Sequence, residues 1–191
     1  MTLIEVLAVI AITAVVGIAL NSTVVSFYRS NAYLLEETEA LGNARQGIGD
    51  AVRITREANY GDDGAYPISA AATSTITLYS DIDNDKAVEK VTYTLLNGTL
   101  YRATVNAAGT PPSYTGQPVT TNTVAQFVRN SSTTPLFQYY DSAGVQLSTT
   151  STDISKIASI SIQLLVDLNP VRAPNVFTLT ESATLRNLRA Q

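Results

Sequence analysis

The sequence predicts an α+β fold: a long N-terminal α-helix, with an apolar half of membrane-spanning length and an amphipathic half, packed on an antiparallel β-sheet. Three features carry this reading. Residues 6–28 contain no charged side chain. From Ser22 to about Tyr60 there is no proline, and Ala, Leu, Glu and Arg are frequent. Beyond Tyr66 the alternation of polar and apolar residues acquires a period of two, the spacing of a half-buried strand. The 191 residues suffice for one anchor helix and one domain of ordinary size. The organisation expected is a hydrophobic transmembrane helix over 1–28, an amphipathic continuation over 29–60, and a β-rich domain over 61–191.

The first helical half is apolar on every side from Val6 to Leu20 except at Thr13, which suits lipid or a protein core better than a water-facing helix. Its uncharged length matches a bilayer span of about 20 residues. In the second half, Phe27, Leu34, Leu41 and Ile48 recur every seven residues, with Ala44, Ala51 and Val52 on the same side. That spacing predicts an amphipathic face turned to a core. Gly42 and Gly47 are expected to weaken the middle, and Asn59, Gly61 and Gly64 to end the helix. Such a helix would be about 82–87 Å long at 1.5 Å per residue.

Strands are expected at 75–79, 88–96, 99–105, 136–140, 145–147, 157–168 and 176–186. Asn97-Gly98 between two alternating runs is a strong hairpin signal. Residues 110–123, with Pro111, Pro112 and Pro118, read as an exposed loop. Residues 124–129 fit a short strand or a short helix. Asp141-Ser142-Ala143-Gly144 reads as a turn, 148–153 as a polar connection, and Pro170 and Pro174 mark a loop before the last strand. The sum is one antiparallel sheet of about five to seven strands, with one face on the second half of the helix.

The unusual residue of the N-terminal stretch is Glu5. An ionisable group in lipid costs roughly 2.5–3.5 kcal/mol on insertion scales, so it is read as functional by default. No Lys or Arg precedes Arg29, and the nearest cation is an α-amino group. A neighbouring copy can supply that amine, which would fix the stagger of identical helices. A cleavable signal peptide would carry a basic segment where this chain has an acid. A plain membrane anchor accounts for the apolar run but not for Glu5.

Thr2, Leu3, Ile4, Glu5, Val6 and Leu7, followed by the apolar run through Leu20, resemble the N-terminus of mature type IV pilins and pseudopilins. The resemblance covers about the first thirty residues together with the general layout of the rest. It implies cleavage by a prepilin peptidase just before Met1, N-methylation of Met1, residence in the inner membrane before assembly, and polymerisation into a homo-oligomeric helical filament by the pilus assembly machinery. Met1, Thr2 and Glu5 are then the polymerisation and modification residues. The family usually has Phe at the first position, where this chain has Met1. Asn21 and Ser22 stand where the family often has proline, so no kink is expected. The function implied is that of a major pilin, an extracellular structural subunit serving adhesion or motility. The alternative is a minor pilin, or a type II secretion pseudopilin, that primes or caps a pilus or pseudopilus. Glu5→Leu is expected to insert in the membrane and to give few filaments.

Composition narrows the chemistry. The chain has no His and no Cys, which removes cysteine nucleophiles, Ser-His-Asp triads, the usual zinc sites and disulfides. A net charge of −4 without a Lys/Arg-rich run argues against nucleic acid as a partner. No activated nucleophile or phosphate-binding glycine loop is evident, so no enzyme activity is expected. One acidic run remains. Asp81, Asp83 and Asp85 alternate, with Glu89 four residues further on, and D-x-D-x-D is how calcium loops begin. An EF-hand would continue with Gly and a Glu at the twelfth position, where this chain has Lys86 and Thr92. The two readings left are a minimal calcium loop and a solvated turn whose side chains bond their own backbone.

Overall fold

The computed structural model describes residues 2–148, 154–169 and 176–185. The fold is α+β. Helix α1 runs without interruption from Leu3 to Arg56. Nine strands follow among the described residues: β1 (Ile68–Ala71), β2 (Thr75–Ser80), β3 (Glu89–Leu96), β4 (Thr99–Val105), β5 (Thr120–Ala125), β6 (Phe137–Tyr140), β7 (Gln146–Leu147), β8 (Ser159–Val166) and β9 (Phe177–Thr184). The chain divides into two compact units, Met1–Glu39 and Ala40–Gln191. The connection expected at 148–153, the loop with Pro170 and Pro174, and the end of the last strand at Arg186 lie largely outside the described residues.

In the second unit the strands form two antiparallel sheets rather than one. The first has the order β1-β2-β3-β4-β5 and the second β7-β6-β8-β9. The chain changes sheet after β5. Phe127 has a φ of 58°, and Val128 N–H still donates to Gly98 O of the β3–β4 turn at 2.8 Å. Val128 then bridges to Val166, and Asp167 N–H donates to Phe127 O at 3.0 Å. Asn130 holds this junction: its amide donates to Gln163 O (2.7 Å) and Thr134 O (3.2 Å), and its oxygen accepts from Leu165 N–H (3.0 Å).

The alternation read from the sequence is visible in burial. Glu89, Val91 and Tyr93 of β3 point inward, as do Ile160, Ile162, Leu164 and Val166 of β8. The β3–β4 hairpin turns at Asn97 and Gly98, with φ of 50° and 75° and Leu96 opposite Thr99. Two consecutive positive φ angles give the primed turn whose twist matches the strands. The expected loop at 110–123 is mostly exposed but ends sooner, because 120–123 pairs with β4 as β5. Strand β1 was not foreseen; its four residues are too few for a periodic signal.

Both sheets and α1 share one apolar core. The helix contributes Ala44, Ile48, Ala51, Val52 and Ile54, and Ala58 follows just past its end. At 100° per residue these sweep roughly 160° of helix surface, wide enough to meet two sheets. The seven-residue stripe is buried only at its end. Ile48 is in the core and Leu41 packs at its margin, whereas Phe27 and Leu34 are exposed. Gly47 is a packing residue, since a Cβ there would lie 2.5 Å from Val124 Cγ1 and 2.6 Å from Val124 O. Asp50 bridges Arg53 at 2.8 Å and also pairs with Arg102 of β4, while Arg56 donates to Ser182 O of β9 at 3.0 Å.

Candidate functional site

Two places hold the residues singled out by the sequence. The first is the start of α1. Glu5 Oε2 accepts Thr2 N–H at 2.7 Å, and Glu5 N–H reaches Thr2 Oγ1 at 3.4 Å. This is the reciprocal capping box, in which residues three apart satisfy donors that the first helical turn leaves open. Glu5 thus has a partner in its own chain, and its oxygens can accept more than one donor. The T-x-x-E spacing was the signal for this bond, and charge matching alone does not find it. Met1 lies outside the described residues. From Leu3 to Leu35 the large apolar side chains Leu3, Ile4, Leu7, Ile10, Ile12, Val15, Ile18 and Leu20 are exposed. The helix is long and apolar enough to cross a membrane.

The second place is the β2–β3 loop, residues 81–88. Six carboxylates and a single lysine occur between Gly61 and Glu89. The loop winds tightly: Asn84 and Lys86 have φ of 64° and 78°. Asp81 accepts Asn84 N–H (2.7 Å) and Lys86 N–H (3.1 Å), and Asp85 accepts Ala87 N–H (2.8 Å). These are the local bonds that Asp offers a turn. One carboxylate oxygen from each of Asp81, Asp83 and Glu89 lies within 4.8 Å of the others. Asp85 is not a member of this group. Of the aspartates expected as ligands, Asp81 and Asp83 converge with Glu89, and all three aspartates, Asp83 through Asp85 N–H at 3.3 Å, also accept backbone N–H groups of the loop.

Glu89 differs in kind from the aspartates. It opens β3, is 1% exposed, and faces inward with Val91 and Tyr93. Its Oε2 accepts Ile82 N–H at 2.9 Å, which holds the carboxylate near the two aspartates. Its Oε1 accepts no hydrogen bond from a described residue. Burial raises the Glu89 pKa, the Ile82 N–H opposes that, and the charges of Asp83, Asp85 and Asp81 raise it further. Opposite Glu89 in the β2–β3 register stands Ser80, fully buried, whose Oγ also lacks a partner among the described residues. Directly opposed residues present their side chains on one sheet face.

Tyr114 anchors the neighbouring 106–119 loop to this end of the sheet. Its hydroxyl donates to Val88 O and accepts Asp62 N–H at 3.1 Å, while Asp62 accepts Val88 N–H at 3.2 Å. Burial above all, and then Asp62 and Asp63, push the Tyr114 pKa up to about 12 against the Asp62 N–H that lowers it.

No protein-family model and no curated protein matches the chain.

Proposed function

We propose that the chain is a membrane-inserted subunit that polymerises through its N-terminal helix. Within that class the reading is a major subunit of a type IV pilus, residing in the cytoplasmic membrane before assembly and outside the cell afterwards. One observation carries it: an exposed first half of the helix, apolar on every side, with a single carboxylate, Glu5, in its first turn and a folded β-rich unit following the helix.

Lipid covers such a surface before assembly, and sister helices cover it afterwards. Exchange of one apolar surrounding for the other leaves packing and polar pairing as the source of preference. Glu5 supplies the polar part. Besides capping its own helix, it pairs with the α-amino group of the adjoining subunit. A subunit out of register would leave a charge uncompensated in a dry bundle, at a cost on the order of 3–5 kcal/mol. The β-rich units then form the outer surface. Their exposed Thr-rich edge at β5 and sparse charge suit a surface that keeps water without strong fields.

Glu5→Gln separates capping from charge pairing, because Gln also serves in a capping box but carries no charge. Surface fibres are sheared from cells, imaged, and their dominant protein identified by mass spectrometry. The wild type is expected to dominate the fibres with a methylated Met1. The Gln variant is expected to reach the membrane and give few fibres. Wild-type fibre yield from the variant would refute the register argument, and fibres dominated by another protein would refute the major-subunit reading in favour of a priming subunit.

A further inference from the structure

We propose that the β2–β3 loop is a calcium site whose protein ligands are the carboxylates of Asp81, Asp83 and Glu89, with Ser80 at its base. The assignment is independent of the filament reading.

The acidic loop alone would be ordinary, since exposed aspartates in a turn need no metal. Glu89 is what sets it apart. A carboxylate at 1% exposure with one unpartnered oxygen is a costly group to keep in a fold. The protein does not neutralise it with a cation of its own, because it forms no ion pair within 4 Å among the described residues. The Ile82 N–H holds it where two further carboxylates converge within 4.8 Å. The buried Ser80 hydroxyl, opposite in register, is a second unsatisfied oxygen at the same end of the strand pair. A bound cation accounts for both orphan oxygens and for the convergence of like charges.

The chemistry of the donors selects the ion. Every donor is a hard oxygen, and the chain has no His or Cys to favour zinc or copper. Magnesium demands near-ideal octahedral geometry and gives up its water reluctantly, whereas calcium accepts six to eight oxygens in flexible arrangements, with carboxylates in either binding mode. Three carboxylates, one of them buried and preset, leave room for solvent and backbone carbonyls in the remaining positions. Extracellular modules bind calcium at roughly 10⁻⁴–10⁻³ M, and a site with one rigid and two loop-borne carboxylates belongs in that range.

The test uses the full chain in detergent micelles, stripped with a chelator and titrated with calcium chloride by calorimetry and by thermal unfolding. Saturating calcium is expected to bind one ion per chain and to raise Tm by about 3–10 °C, from mass action on the folded state. Magnesium at the same concentration should give much less. Asp83→Asn, at an exposed position that leaves the fold intact, should weaken binding about tenfold or more, and Glu89→Gln should abolish it. Asp85→Asn should bind as the wild type does. Absence of calorimetric binding and of a Tm shift in the wild type overturns the proposal. So does an equal response from the Asp83 and Glu89 variants, or from magnesium, because each would mean diffuse screening of an acidic surface.

Discussion

Gly47 sits in the middle of a helix, where glycine is a poor choice by about 1 kcal/mol relative to alanine. Two other glycines of α1, Gly42 and Gly49, offer the control. A Cβ at either would meet nothing within 4 Å, so alanine there gains the helical preference with no steric charge against it. At Gly47 the same Cβ would come within 2.6 Å of both a methyl group and the carbonyl oxygen of Val124. Relief requires movement on the order of 1 Å to reach normal van der Waals separation. The carbonyl cannot swing aside as a side chain can: Val124 bulges out of register, but its neighbours Thr123 and Ala125 are paired to Tyr101 and Leu100 of β4 and pin the backbone on both sides. Overpacking of this kind costs typically 1–3 kcal/mol. Set against the helical gain, Gly47→Ala is expected to be destabilising by up to about 2 kcal/mol, and Gly49→Ala to be stabilising by about 0.5–1 kcal/mol. At about 2–4 °C per kcal/mol for a chain of this size, the two variants should differ in Tm by several degrees. Thermal unfolding of the full chain in detergent, followed by tyrosine signals in the near-ultraviolet, measures this. If Gly47→Ala were as stabilising as Gly49→Ala, the close approach of α1 to β5 would be wrong.

Leu164 of β8 is completely buried in the shared core, and Leu164→Ala should cost about 2–5 kcal/mol in urea unfolding; a loss below 1 kcal/mol would show the second sheet to be loosely packed. Tyr114→Phe removes one donated and one accepted hydrogen bond, leaving Val88 O and Asp62 N–H without that partner, for an expected loss of about 1–3 kcal/mol. The same residue governs alkaline behaviour. Its folded pKa of about 12 lies above the ordinary 10, so the folded state holds the proton more tightly. That contribution is complete below pH 10 and is lost as pH rises from 10 through 12. Urea midpoints at pH 8, 10, 11 and 12 should therefore fall more steeply for wild type than for the Phe variant, and parallel curves would refute the assignment. Tyr93 and Tyr139, also raised chiefly by burial, add to the wild-type slope and remain in the variant.

What could be read from the sequence depended on how local its cause was. The long helix, the Asn97-Gly98 hairpin and the alternating strands β3 and β8 are each written in one contiguous run, and each stands where the run places it. The division into two sheets was not legible. It depends on a left-handed backbone at Phe127 and on the Asn130 side chain meeting Gln163 and Leu165 more than thirty residues away. Gly47 shows the same limit, since the helix scale records only its cost and the compensating contact belongs to β5. At the sites the lesson is sharper. The D-x-D-x-D spacing draws attention to Asp85, because sequence spacing treats carboxylates as equivalent. The fold breaks that equivalence: the three aspartates all bond the backbone of their own turn, while strand register carries Glu89 inward opposite Ser80 and leaves Asp85 out of the converging group. Glu5 illustrates the converse. Its partner is an amide three residues away that needs no charge to bond and so carries no mark in a pattern of charges. A carboxylate that already caps its helix is held in one orientation before any partner arrives. That preorganisation lowers the cost of pairing with an amine on another subunit, so the cap and the proposed register device reinforce each other.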